Sequence, residues 1–148
     1  MGKMGKIRLG TEEIKYITLF ETITGAIVKD CFNFDNNLVF VVKEGDMGLA
    51  IGKNGSNIEK VRKAFGKGVW VFEFSKDENT FIRNLFHPVP VKQVRISNLE
   101  NGKVATIEIN KKDRRRVIGP KGMRIKIAKE LVKRHFDIDN INIKTTSL

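Results

Sequence analysis

The pentapeptide Ile51-Gly52-Lys53-Asn54-Gly55 returns 67 residues later as Ile118-Gly119-Pro120-Lys121-Gly122. The same displacement carries Asp46 onto Asp113 and Ile58 onto Ile125, and brings the turn at Phe34-Asp35-Asn36-Asn37 close to Asn101-Gly102-Lys103-Val104. Glycine pairs recur by chance, but turn, strand and helix signals do not recur together at one displacement, so the chain reads as a duplicated unit of about 70 residues. Its 148 residues supply two copies of one small architecture and little more.

Hydrophobic period and punctuation give the order within one copy. Thr11 is placed to cap a helix in which Tyr16, Leu19, Phe20 and Ile23 form one apolar face. After Gly25, the β-prone tract Ala26 to Phe34 turns at Asp35-Asn36-Asn37 and returns as Leu38 to Lys43, an antiparallel hairpin. A short helix from Asp46 to Ile51 enters the glycine turn. Ser56-Asn57-Ile58-Glu59 then has the form of a capping box and opens a helix with Ile58, Val61 and Phe65 facing inward. Val69 to Phe74 is a third strand. The order is helix, strand, strand, helix, helix, strand, an α+β unit.

The second copy repeats it. Ser75-Lys76-Asp77-Glu78 reads as a further capping box, opening a helix that His87-Pro88-Val89-Pro90 stops near Phe86. Val91 to Leu99 and Val104 to Asn110 flank Asn101-Gly102, a strong hairpin signal. Lys111 to Ile118 forms the short helix, Gly122 to Phe136 the long one with Ile125, Ala128 and Val132 inward, and Ile141 to Lys144 the last strand. Residues 1–9 are then an N-terminal extension, 10–75 the first domain and 76–148 the second. Ser75 and Lys76 are too short a tether for independent motion, so the two modules are expected to pack as one rigid unit.

Twenty-eight Lys and Arg against 17 Asp and Glu give a net charge of +11, which favours a polyanionic partner, nucleic acid first. The longest apolar run, Leu38 to Val42, is far short of a membrane span, so no membrane partner is expected. The N-terminus has no leader-like apolar stretch, and Lys6 stands where a myristoylation motif requires Ser or Thr, which points to the cytoplasm. Cys31, His87 and His135 are too few for a zinc cage, and a single cysteine forms no internal disulfide. No cofactor or metal is indicated.

The chemistry lies in the glycine turns. Two glycines remove the side chains that would hold a sugar-phosphate strand away from the main chain, and the helix that follows presents amide N–H groups and its positive dipole end. Ile51 and Ile58 in one copy, and Ile118 and Ile125 in the other, are placed to line a shallow apolar groove for unstacked bases, an arrangement suited to single strands. An isolated GxxG is more often a tight turn. Here it occurs twice, after Ile and between helices both times, with Lys53 in one copy and Lys121 in the other.

These residues resemble the K-homology (KH) domain in its type II arrangement, α-β-β-α-α-β, present as a tandem pair over about residues 7–146, and the pair is similar to the archaeal NusA family of transcription factors. The resemblance implies a three-stranded mixed sheet in each module with helices on one face. It implies that Gly52-Lys53-Asn54-Gly55 and Gly119-Pro120-Lys121-Gly122 clamp phosphates, each module holding about four nucleotides. It further implies a role in transcription elongation, termination or antitermination.

Pro120 departs from the first copy, since it lacks an N–H and stiffens its turn. Arg114, Arg115 and Arg116, just upstream, supply compensating attraction. The charge is unevenly divided: residues 1–76 hold 12 basic and 9 acidic side chains, residues 77–148 hold 16 and 8. Lys126, Lys129 and Lys133 extend the positive face along the long helix. Three other features carry less. Val69-Trp70-Val71-Phe72-Glu73-Phe74 misses the RNP1 pattern, so Trp70, Phe72 and Phe74 are expected in the core or at an interface. Gly48 to Asn54 lacks the spacing and the hydroxyl of a nucleotide-binding P-loop. Cys31 reads as a small buried filler.

The sequence therefore describes a non-catalytic protein whose partner is single-stranded RNA, although no residue singles out the 2′-hydroxyl against single-stranded DNA. The alternative is an RNA-associated scaffold whose partners are RNA polymerase or ribosome-associated proteins.

Overall fold

The computed structural model describes residues 9–147. Met1 to Arg8, most of the expected extension together with the tract read for myristoylation, lie outside the described residues. The chain divides into two compact units between Lys76 and Asp77.

In the first unit, α1 (Thr11–Thr24) is followed by β1 (Val28–Phe34) and β2 (Asn37–Val42). The chain continues through α2 (Met47–Ile51), a 3₁₀ turn at Lys53–Gly55, α3 (Ser56–Phe65) and β3 (Gly68–Glu73). β1 pairs antiparallel with β2, which pairs parallel with β3, giving the mixed sheet 1-2-3. Asp35 and Asn36, both at positive φ, make the hairpin turn, and Asn37 already belongs to β2. Rings connect the layers: Phe20 of α1 stacks on Phe40 of β2 at 4.3 Å, Phe40 on Phe65 of α3 at 5.8 Å, and Tyr16 meets Phe65 edge-on at 5.2 Å. Cys31 is buried in this core. Leu19 is not, being 40% exposed on the solvent side of α1.

The second unit repeats the order as α4 (Glu78–Phe86), β4 (Gln93–Leu99), β5 (Gly102–Asn110), α5 (Arg114–Ile118), α6 (Met123–Phe136) and β6 (Asn140–Thr146). Its sheet, 4-5-6, has the same mixed pairing. β5 alternates cleanly: Ala105, Ile107 and Ile109 are buried, while Thr106 and Glu108 share the opposite, partly solvated face with Gln93, Arg95 and Lys144. β2 differs, since Leu38 to Val42 are buried without interruption. Val69 and Val71 of β3 pack on the helix-side core, which puts Trp70 and Phe72 on the reverse face, their rings 6.3 Å apart; Phe72 is buried and Trp70 half-buried.

Every sequence-based cap is displaced. Gly10, not Thr11, precedes α1, and its amide donates to Glu13 Oε1 at 2.8 Å. Gly55, in the left-handed region, precedes α3, so Ser56 is a helical residue and its box does not form. Asp77, not Ser75, caps α4, accepting from the Thr80 amide at 2.9 Å and its hydroxyl at 2.8 Å. The second hairpin also turns one residue early, at Glu100-Asn101, with Gly102 paired to Leu99 inside the ladder. A Cβ at Gly102 would lie 2.2 Å from an Asp139 carboxylate oxygen that accepts from the Lys103 amide, which fixes that register. The duplication is therefore not gapless: β2 begins nine residues before Asp46, whereas β5 begins eleven before Asp113.

Candidate nucleic-acid interface

Each glycine turn joins a five-residue helix to a longer one. Gly52 (φ 77°, ψ 168°) ends α2 and Gly119 (φ 78°, ψ 170°) ends α5. Asn54 (55°, 28°) and Lys121 (56°, 23°) occupy the left-handed region at the tips, followed by Gly55 (76°, 16°) and Gly122 (71°, 16°). No corresponding angle differs by more than 5°. The backbone is the same device built twice, with Lys53 replaced by Pro120 and Asn54 by Lys121. The two lysines therefore hold different places in their turns.

The first glycine of each turn is required by close approach. A Cβ on Gly52 would stand 2.8 Å from the Asn57 amide nitrogen, and one on Gly119 would stand 2.8 Å from Arg124 Cβ. Neither α3 nor α6 has a side-chain cap. The turns bond internally, Gly55 N–H to the Gly52 carbonyl at 3.1 Å and Gly122 N–H to Gly119 at 3.0 Å, and the helix amides beyond them face the loop with the positive end of the dipole.

Lys53, Asn54, Pro120 and Lys121 are exposed, and the four glycines half-buried, so both turns are open to solvent. Ile51, Ile118 and Ile125 are half-buried beside them. Ile58 is only 7% exposed and belongs to the core cluster, so it contributes little to a groove floor in the first unit. Arg114, Arg115 and Arg116 are all exposed on α5, with Arg116 held 3.3 Å from the buried Asp113. Arg124 reaches back from α6 to the Leu85 carbonyl at 2.9 Å. Burial, and secondarily the charge of Arg116, hold its guanidinium below the ordinary value.

Leu49, Asn57 and Arg124 stand at the turns as well, beyond the residues expected there from the sequence. Asn57 Nδ2 donates to the Leu49 carbonyl at 2.7 Å, joining the helices on either side of the first turn. Its counterpart at the 67-residue displacement is Arg124, so the repeat itself marked the position.

Residues 13–77 match the KH domain model, and residues 78–146 match the NusA-like second KH domain model. The probable transcription termination protein NusA of Methanocaldococcus jannaschii is 43% identical over 140 residues, which span 95% of this chain and 76% of that protein. The chain belongs to the NusA-like family of tandem KH proteins. The protein of the same description from Halobacterium salinarum is 38% identical over 93% of this chain and 98% of its own length. The crystal structure of APE1850 has a TM-score of 0.81 at 31% identity, covering 92% of this chain and 100% of that one. Each matched range contains one of the glycine turns, residues 52–55 in the first and 119–122 in the second. Among the described residues no helix is long and apolar enough to cross a membrane, and no three His, Cys, Asp or Glu side chains form a metal-binding group.

Proposed function

We propose that this NusA-like chain binds single-stranded RNA at both glycine turns, acting in the cytoplasm during transcription elongation, termination or antitermination. The observation that carries the reading is the repeated backbone: two solvent-open turns of matching angles, each holding first-glycine geometry that no larger residue reproduces. A phosphate approaching such a turn meets main-chain amides, a helix dipole and a nearby lysine, with no side chain in the way. Bases then lie toward Ile51 in the first unit and toward Ile118 and Ile125 in the second. The relatives' description as probable transcription termination proteins supports the setting.

The reading is one of capture without chemistry, so RNA incubated with the protein and Mg²⁺ is expected to stay intact. Fluorescence anisotropy with a labelled unstructured RNA tests binding directly. Affinity is expected to fall steeply with salt, by about 0.7 log units per log unit of salt for each phosphate neutralised on a single strand. Salt-independent affinity, or equal binding to an uncharged backbone analogue, overturns the reading.

A further inference from the structure

The displacement that matches the glycine turns also sets Met47-Gly48-Leu49 of α2 against Arg114-Arg115-Arg116 of α5. Both helices have five residues and run into glycines of matching angles, so the three positions stand in the same relation to their turns. In the first unit this segment is uncharged, and Leu49 is 49% exposed. In the second it carries three guanidinium groups, of which Arg116 alone has a carboxylate partner among the described residues. The longer helices differ the same way at one position, although α3 also carries Lys60, Arg62 and Lys63. Glu59, paired with Arg62 at 3.7 Å, stands where α6 has Lys126, whose Cε lies 3.7 Å from the place a Cβ on Gly122 would take.

On the single-stranded RNA reading above, we infer that the two turns weight the ligand differently: both take phosphate and base, but the second, with Arg114 and Arg115 beside it, holds the strand chiefly by its phosphates, and the first gains chiefly from base faces, with Leu49 as the covering side chain. A leucine half in water beside a phosphate-accepting turn gains by burial when the flat apolar face of a base comes down on it. With Ile58 withdrawn into the core, Leu49 and Ile51 are the apolar surface the first unit offers there. The cations around the second turn attract any sequence equally and lose their effect as salt displaces them. The first unit thus carries the larger share of base preference, and the second the larger share of salt-dependent attraction.

The test is a salt series by anisotropy on the full chain, with a labelled unstructured RNA of about 12 nucleotides, enough for two modules. R114Q/R115Q is expected to lower the magnitude of the log–log salt slope by about 1.4, roughly 0.7 for each lost phosphate contact. L49S is expected to weaken binding roughly fivefold at every salt concentration without altering the slope, the change due to about half a leucine side chain. L49M, which keeps apolar surface, is expected to bind like wild type. All these positions are exposed, and circular dichroism serves to check that each variant folds. A slope unmoved by R114Q/R115Q, an L49S affinity equal to wild type, or an L49M loss as large as that of L49S overturns the division while wild-type binding still stands. A wild type that fails to bind at low salt overturns the RNA reading itself.

Discussion

Asn57 and Leu49 are joined across the first glycine turn by a 2.7 Å hydrogen bond, whereas Arg124, at the matching place in the second unit, bonds to Leu85 of α4. The first turn is thus closed by its own two helices and the second is tied to a third. N57A is expected to cost about 1 kcal/mol of stability, the net worth of one such bond, and to speed amide exchange at Gly52 and Gly55. Urea denaturation and hydrogen exchange measure the two effects.

Alanine at Gly52 or Gly119 meets a stronger barrier. Both residues sit at φ near +78° with ψ near 170°, a region reserved to glycine, and the added Cβ meets the next helix at 2.8 Å. Each substitution is expected to destabilise its own unit by about 2–3 kcal/mol. RNA affinity then falls because the turn is rebuilt, even where the melting curve still shows a folded chain.

The tips behave oppositely. Lys53 and Asn54 are exposed, and aspartate tolerates the left-handed conformation of residue 54. K53D/N54D is expected to leave unfolding free energy within about 0.5 kcal/mol of wild type while abolishing the first unit's share of RNA affinity. Unchanged affinity refutes the assignment of that turn. At the second tip, K121N is expected to raise stability by about 0.5 kcal/mol, since asparagine accepts φ of 56° more readily than lysine, and to weaken RNA binding through the lost charge.

Asp139 is one source of acid sensitivity, as is Asp77 through its bonds from Thr80. Lys133 Nζ donates to the Asp139 carboxylate at 2.7 Å and the Lys103 amide at 2.8 Å, and in that order they hold it below its ordinary value of 3.8 against the opposing effect of desolvation. A depressed carboxylate adds stability that is complete above the unfolded value and lost as pH falls through the folded one. The stability difference between wild type and D139N is therefore expected to be constant near neutrality and to shrink as pH drops below 3.8. Lys133 moves the other way, raised first by its bond to Asp139 and then by that to Asp137. Its contribution is complete below 10.5 and disappears as pH rises through the raised value. Urea midpoints across the two ranges test both signs.

The order of elements and both glycine turns were legible in the sequence because period, punctuation and repetition agree there. Caps were not. Ser56-Asn57-Ile58-Glu59 and Ser75-Lys76-Asp77-Glu78 each have the local form of a capping box, yet the left-handed Gly55 starts α3 directly and Asp77 captures α4 from inside the box. Asn101-Gly102 has the form of a hairpin centre, but a carboxylate 37 residues downstream fixes Gly102 in the ladder. Long-range partners of this kind leave no mark on neighbouring residues. The inward face of Ile58 was legible from helical period, but its full withdrawal from the groove and the exposure of Leu49 were not, since both are apolar and both lie near the turn.

Asn54 and Lys121 stand outside the core, and the backbone beneath them is settled by the glycines on either side. Among residues that accept a left-handed backbone, the occupant of such a post can be exchanged at little cost to folding, so under the proposed function it is free to follow the ligand. Substitutions that retune what this chain recognises have their cheapest route through these two sites, and variation between the copies, asparagine in one and lysine in the other, is the trace such drift would leave.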